Sequence, residues 1–483
     1  MSAAGGERLT AFEAGCWHLE RTGQPMHAGA LYVLDGPLDF ERTLADVEAR
    51  LAGLPRWRSR VLPVPFDLAS PTWEPARGFD LPQHVVRHGL RAPADDAQLE
   101  RLASRLFAQP LDRRRPLWEV HQIDGFRGGC SALLVKVHHC LLGGVHGSDL
   151  EQLFFDVSAR PKRAAQAPAP APPPGEPSPG AVARLWAAAR DGAASGLAGL
   201  RRAAADPVAV AAAAGEHLAA VRELVGLLAA SAPPTPLRGH VSTLRRVAWI
   251  TVALPDVKAV KTRLGGTTGD VAFAAIAGGL RRWLELRGLV LDRLELRALC
   301  PTGIRGDRAK RLSIVVAPLP VGIFDPRERL RQVRAAREQL ERERAAERTA
   351  RALALLSSVP APLQRPLGWL EMQVVPVNTI CTTVPASPVR LYAQGRRVET
   401  IVPMVPLAQG VGLAFGILTY ADVLTIGVTF DPALLRDGEA LPPLVREAFD
   451  ELHGLTDGAP LARTGPVSPE RRRRVRPVPP RVA

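Results

Sequence analysis

A chain of 483 residues is about two to four times the length of a usual domain, so at least two packed cores are expected. Apolar residues at 46% and charged residues at 23% exclude a wholly disordered or fibrous protein. The net charge of +14 favours anionic partners such as lipid headgroups, nucleic acid or phosphate-bearing ligands, but aromatic residues at 5% and the lack of a recognisable base-reading module count against nucleic acid.

The chain opens MSAAGGERLTAFEAG, without a basic stretch followed by an apolar one, and no uncharged apolar run of about 18 residues follows anywhere. Membrane contact is therefore expected to be peripheral. Up to about residue 160, short apolar runs alternate with helical patterns, which reads as a mixed α/β unit. LADVEARLAGL (44–54) has apolar residues at helical spacing, and CSALLVKVHH (130–139) is a compact apolar run suited to a buried strand.

That strand ends in two adjacent histidines. Successive side chains of a strand face opposite ways, so His138 and His139 cannot both enter one site; one is expected to do chemistry and the other to support it. LLGGVHG then turns the chain, and Ser148-Asp149-Leu150-Glu151 has the S-x-x-E form of a helix capping box. A side chain at a strand-to-helix junction is held by a rigid element with its tip toward a cleft, as a general base requires. Taken alone, the pair is equally readable as structural. A metal set of His138, His139 and His146 is disfavoured by the opposite facing and the glycine loop, so no metal is expected. Cys140 is a poor nucleophile candidate, because on a continuing strand it faces away from His139.

APAPAPPPGEPSPG (167–180) cannot hold a helix or central strand, since proline removes donors and fixes φ, and it reads as a linker. Leu218, Val221, Val225 and Leu228 in the following alanine-rich stretch mark one amphipathic helix. A second α/β region runs from about 240 to 458, with strands expected at 246–254, 312–323 and 422–430 and helices at 271–287 and 443–455. The domain reading is thus 1–160, a linker and helical segment over 161–239, 240–460, and a basic disordered tail over 461–483, where seven arginines stand against one glutamate after residue 462. Five cysteines (Cys16, Cys130, Cys140, Cys300, Cys381), odd in number and without a CxxC pair, suggest neither a disulfide framework nor a zinc site, and a reducing cytoplasm fits best.

KVHHCLLGG resembles the HHxxxDG motif of wax ester synthase/diacylglycerol acyltransferases, within the broader superfamily that includes chloramphenicol acetyltransferase and peptide-condensation domains. Further segments are similar to that family in order and spacing: PMHAGALYVLDGPLD (25–39), QPLDRRRPLWEVHQIDGFRGG (109–129), TTGDVAFAAIAGGLRRWL (267–284), ALCPTGIR (298–305) and TTVPASPVRLYAQG (382–395). The resemblance implies a two-domain α/β fold of the chloramphenicol acetyltransferase type, with mixed sheets flanked by helices and an active-site channel at the domain interface. It implies acyl transfer from long-chain acyl-CoA to diacylglycerol or a fatty alcohol with His139 as general base, contact with an anionic membrane or lipid-droplet surface, and no cofactor.

By the same resemblance, Gly143 stands where the motif has aspartate and is followed by the motif's Gly144, and Arg305 occupies the position of that aspartate's partner. Asp149 is a candidate replacement. Gly269 replaces the asparagine of an Asn-Asp pair whose Asp270 is kept, and Thr382 and Thr383 stand in place of serine and asparagine. These departures raise an alternative, a catalytically impaired member that binds lipid or acyl-CoA.

Overall fold

The computed structural model describes residues 7–20, 24–65, 69–142, 151, 154–160, 232–292, 294–303, 312–356 and 377–456, with five isolated positions between 190 and 215. The expected linker, the 218–228 helix, the basic tail, Gly143, Gly144, His146, Ser148, Asp149 and Arg305 lie outside the described residues.

In the first half, β1 (Glu7–Arg8), β3 (Ser59–Leu62) and β4 (Thr72–Pro75) form a small sheet beside helix α1 (Ala11–Leu19). Thr10 and Glu13 close a reciprocal capping box that starts α1. A six-stranded sheet contains β2 (His27–Leu34), β5 (Val85–Gly89), β6 (Trp118–Phe126) and β7 (Cys130–His138). Helices α2 (Phe40–Leu51) and α3 (Asp96–Ala108) precede its later strands, each capped by an aspartate, Asp39 and Asp95. The apolar run expected as a buried strand is β7, buried from Ser131 to His138 because residues pack on both faces.

In the second half, the expected strands are β8 (Arg246–Ala253), β10 (Leu312–Leu319) and β15 (Val423–Phe430), joined by β9 (Leu296–Gly303), β11 (Thr379–Val384) and β14 (Leu413–Tyr420) in the order β10-β9-β11-β14-β15-β8. Helix α4 (Leu254–Leu264) leads into α5 (Thr268–Leu286), the expected 271–287 helix; α6 (Pro326–Arg342) and α7 (Ala345–Leu356) follow, and α8 (Leu441–Gly454) is the expected 443–455 helix. Gly279 lets α5 and α8 touch: a Cβ there would stand 2.5 Å from Val445 Cγ2.

Sheet membership does not divide at the linker. β12 (Tyr392–Ala393) and β13 (Arg396–Met404) come from the second half yet complete the first sheet, whose order is β12-β13-β2-β7-β6-β5, with Met404 opposite Gly29. Two contacts then fasten the sheets together. Gly416 and Gly427, paired across β14 and β15, leave room for Pro403 of β13; a Cβ on Gly427 would meet the Pro403 carbonyl oxygen at 2.1 Å. On α3, Ser104 Oγ accepts from Val247 N at 2.8 Å and donates to Val247 O at 3.3 Å, satisfying edge strand β8.

Two motif segments of the second half meet at one end of their sheet. β9 and β11 are parallel, so Gly303 and Val384 finish at the same end.

Candidate active site

β7 stops at His138, and the chain turns at once, with Leu141 N donating to His138 O and Leu142 N to His139 O. The facing argument for Cys140 therefore does not hold, because no strand continues through it. Its thiol is a weak nucleophile for another reason: the residue is fully buried, which pushes the thiol well above its ordinary range. Its Sγ lies 2.9 Å from His138 Nδ1.

The two histidines differ in burial and in partners. His138 is buried; its Nδ1 accepts from Cys140 N at 3.1 Å, which leaves the proton on Nε2, donated to Glu20 Oε2 at 2.5 Å. His139 is only partly buried. Its backbone N and its ring Nδ1 both reach Met26 O, at 2.9 and 3.0 Å. A carbonyl only accepts, so the network assigns the ring proton to Nδ1 and leaves the Nε2 lone pair for an incoming proton. Among the described residues, Nε2 has no hydrogen-bond partner. Burial pushes the His139 pKa down to about 4, with His138 acting in the same direction and the Met26 bond opposing.

The ring is therefore neutral through the physiological range. In the unfolded chain it titrates near the ordinary 6.5, so its contribution to stability is complete above that value and fades as the pH falls toward about 4. We expect the acid limb of kcat/KM for acyl transfer to fall near pH 4 to 5; a limb at 6.5 in a pH–rate profile would contradict the desolvated base.

Around this pair the structure places residues that carry no motif. Met26 N approaches Glu20 Oε2 at 3.4 Å. Arg113 lies over the Trp17 ring, 3.4 Å from its centroid, and donates to Trp17 O at 3.0 Å, while Trp17 stands edge-on to His138. Burial alone raises the Glu20 pKa, but the hydrogen bond from His138, with Arg113 nearby, brings it below the ordinary value, so Glu20 is a carboxylate.

Of the second-half candidates, Asp270 is held in a network of described hydrogen bonds. Asp270 Oδ2 accepts from Thr267 N at 2.8 Å and Thr267 Oγ1 from Asp270 N at 3.1 Å, a capping box that starts α5, while Arg337 of α6 donates to both Asp270 oxygens. Thr382 is partly buried and Thr383 exposed at the end of β11. None of these three contacts the histidine pair through a described hydrogen bond. The two halves meet nearby in sequence: Glu151 accepts from Ser387 N at 2.6 Å, and Asp156 and Tyr392 exchange backbone bonds at 2.7 and 2.8 Å. Glu151 thus spends one carboxylate oxygen on the segment after Thr383, a duty beyond the expected cap. Burial raises its pKa to about 7.

Two interlocked mixed α/β sheets, with a tandem histidine where a central strand ends, make a two-domain fold of the chloramphenicol acetyltransferase and condensation-domain type. Solved structures agree on the fold. The wax ester synthase/diacylglycerol acyltransferase from Marinobacter aquaeolei VT8 superposes with a TM-score of 0.64 at 22% identity, covering 93% of this chain and all of that one. The first condensation domain of the calcium-dependent antibiotic synthetase gives 0.59 at 16% identity, over 94% and 97%. In sequence, the chain matches the wax ester synthase/diacylglycerol acyltransferase catalytic domain over residues 9–272 and the C-terminal domain of the same family over 310–453. It is 31% identical over 466 residues to a probable diacylglycerol O-acyltransferase of Mycobacterium tuberculosis, covering 92% of this chain and 95% of that one. A putative diacylglycerol O-acyltransferase of the same organism is 30% identical over 94% and 91%. The chain belongs to the wax ester synthase/diacylglycerol acyltransferase family and is an acyltransferase.

Proposed function

We propose that this protein transfers a long-chain acyl group from acyl-CoA to the hydroxyl of diacylglycerol or a fatty alcohol, with His139 as the general base. The observation that carries the reading is the His139 ring, held by Nδ1–H on Met26 O with Nε2 left to accept a proton. As the acceptor oxygen attacks the thioester carbonyl, Nε2 takes the hydroxyl proton; the tetrahedral oxyanion then collapses, the carbon–sulfur bond breaks, and the imidazolium returns the proton to the CoA thiolate. No acyl-enzyme forms, and no cofactor is consumed. His138 acts through its bonds to Glu20 and Cys140 and does not meet the substrate. The purely lipid-binding alternative is disfavoured by a ring already in the tautomer that catalysis needs.

Both substrates are lipidic, and no helix among the described residues is long and apolar enough to cross a membrane. We propose peripheral contact with an anionic membrane or lipid-droplet surface in the cytoplasm, favoured by the net charge of +14. Incubation of purified protein with labelled acyl-CoA and a panel of diacylglycerol and fatty alcohols tests the reading. The expected result is labelled ester with equimolar free CoA. Release of free fatty acid alone, or no product, would overturn it.

A further inference from the structure

We infer that Glu20 is a positioning residue for His139, acting from the end of α1 through its hydrogen bonds to His138 and Met26. The inference rests on the general-base reading above, and it deepens that reading by naming what fixes the base.

The geometry runs through Met26. Glu20 Oε2 accepts from His138 Nε2 at 2.5 Å and from Met26 N at 3.4 Å, and Met26 O accepts from His139 N and Nδ1. One carboxylate oxygen therefore holds the first histidine and the residue whose carbonyl orients the second. On its other side Met26 is fixed by His27, whose Nε2 donates to Phe107 O at 2.7 Å and whose ring meets Phe107 edge-on. Met26, whose carbonyl is the His139 acceptor, is thus flanked by the Glu20 contact and the His27 bond.

The Glu20 side chain is only 7% exposed, so its bonds are sheltered from competing water. A buried carboxylate persists only with partners that stabilise its charge; here these are His138 on β7 and Arg113 in the segment before β6. Among the described residues, other titratable groups nearby include His27 on β2, Cys140 in the turn, and Glu13 and Cys16 on α1, the thiols being raised and His27 lowered by burial. Glu20 reaches the pair from 118 residues upstream of His138.

The test compares Glu20→Ala and Glu20→Gln with the wild type in the full chain, using labelled acyl-CoA and the best acceptor. Glutamine keeps an acceptor oxygen of the same reach; alanine keeps none. The inference predicts that Glu20→Ala lowers kcat by about 10- to 100-fold with KM within twofold, since the substrates touch neither residue. Its acid limb should rise from near pH 4 toward the ordinary 6.5 as water reaches a loosened ring. Glu20→Gln should recover kcat to within about fivefold and keep the low limb. A folded Glu20→Ala protein with wild-type kcat and acid limb would overturn the inference. So would a folded Glu20→Gln protein as slow as His139→Ala, because that would make the charge, not the two acceptor contacts, the working property. Should Glu20→Ala fail to fold, the glutamine variant alone still decides. If the wild type itself makes no ester, the functional reading fails; Glu20 is then judged by the ¹⁵N spectrum of His139, where loss of the Nδ1–H form in Glu20→Ala supports it and an unchanged tautomer refutes it.

Discussion

His139→Ala is expected to lose about 10²- to 10⁴-fold in kcat, with KM for acyl-CoA little changed and the fold intact. The range is that of general-base assistance lost from a reaction in which no other group is asked to accept the proton. His138 cannot take over, because its Nδ1 faces Cys140 and its Nε2 proton is committed to Glu20. Folding should survive, since the ring's described hydrogen bond is to one carbonyl that the His139 backbone also engages. Steady-state kinetics beside a thermal melt checks both halves: equal ester from both proteins would remove His139 from the mechanism.

Glu119→Ala is expected to cost about 3 kcal/mol or more of stability, an effect on the scaffold that presents the histidines. Lys136 stands two residues before His138 on β7, wholly buried, and donates to Glu119 Oε2 at 3.0 Å and to Gln109 O at 2.8 Å. Glu119 lies directly opposite it on β6 and also meets His121 at 3.2 Å. Burial raises the Glu119 pKa, but the bonds to His121 and Lys136 and the Lys136 charge prevail and hold it at about 2. Its stabilising contribution is therefore complete above the ordinary carboxylate value near 4.5 and is lost as the pH falls toward 2. Removing the carboxylate strands a buried ammonium, whereas Lys136→Met removes the charge with its need and should cost far less. Urea titrations of both variants at pH 7 measure the difference. A loss below about 1 kcal/mol for Glu119→Ala would show that water already solvates Lys136.

What the sequence made legible follows from how local each signal is. β7, β8, β15, α5 and α8 stood out because apolar spacing and capping residues act within a few neighbours. The assignment of β13 to the first sheet did not, since pairing of Met404 with Gly29 depends on a crossover that no local pattern records. His139 was found through its motif, yet the partners that fix its tautomer were not. Glu20 sits at the end of a short helix and Met26 donates a backbone carbonyl, a group every residue has. Lys136 left a trace that could have been read: one lysine inside an otherwise apolar, doubly covered strand requires a buried carboxylate nearby. The Cys140 argument failed because strand ends are set by the first hydrogen bond that turns the chain, here Leu141 to His138.

The claim beneath the mechanism is that His139 is a neutral imidazole protonated on Nδ1. A histidine-selective ¹⁵N NMR titration of the wild-type chain, assigned with His139→Ala, measures this directly. The account predicts an Nδ1–H signal at pH 7 that gives way to imidazolium with a midpoint near 4. An Nε2–H signal, or a midpoint at the ordinary 6.5, would contradict it.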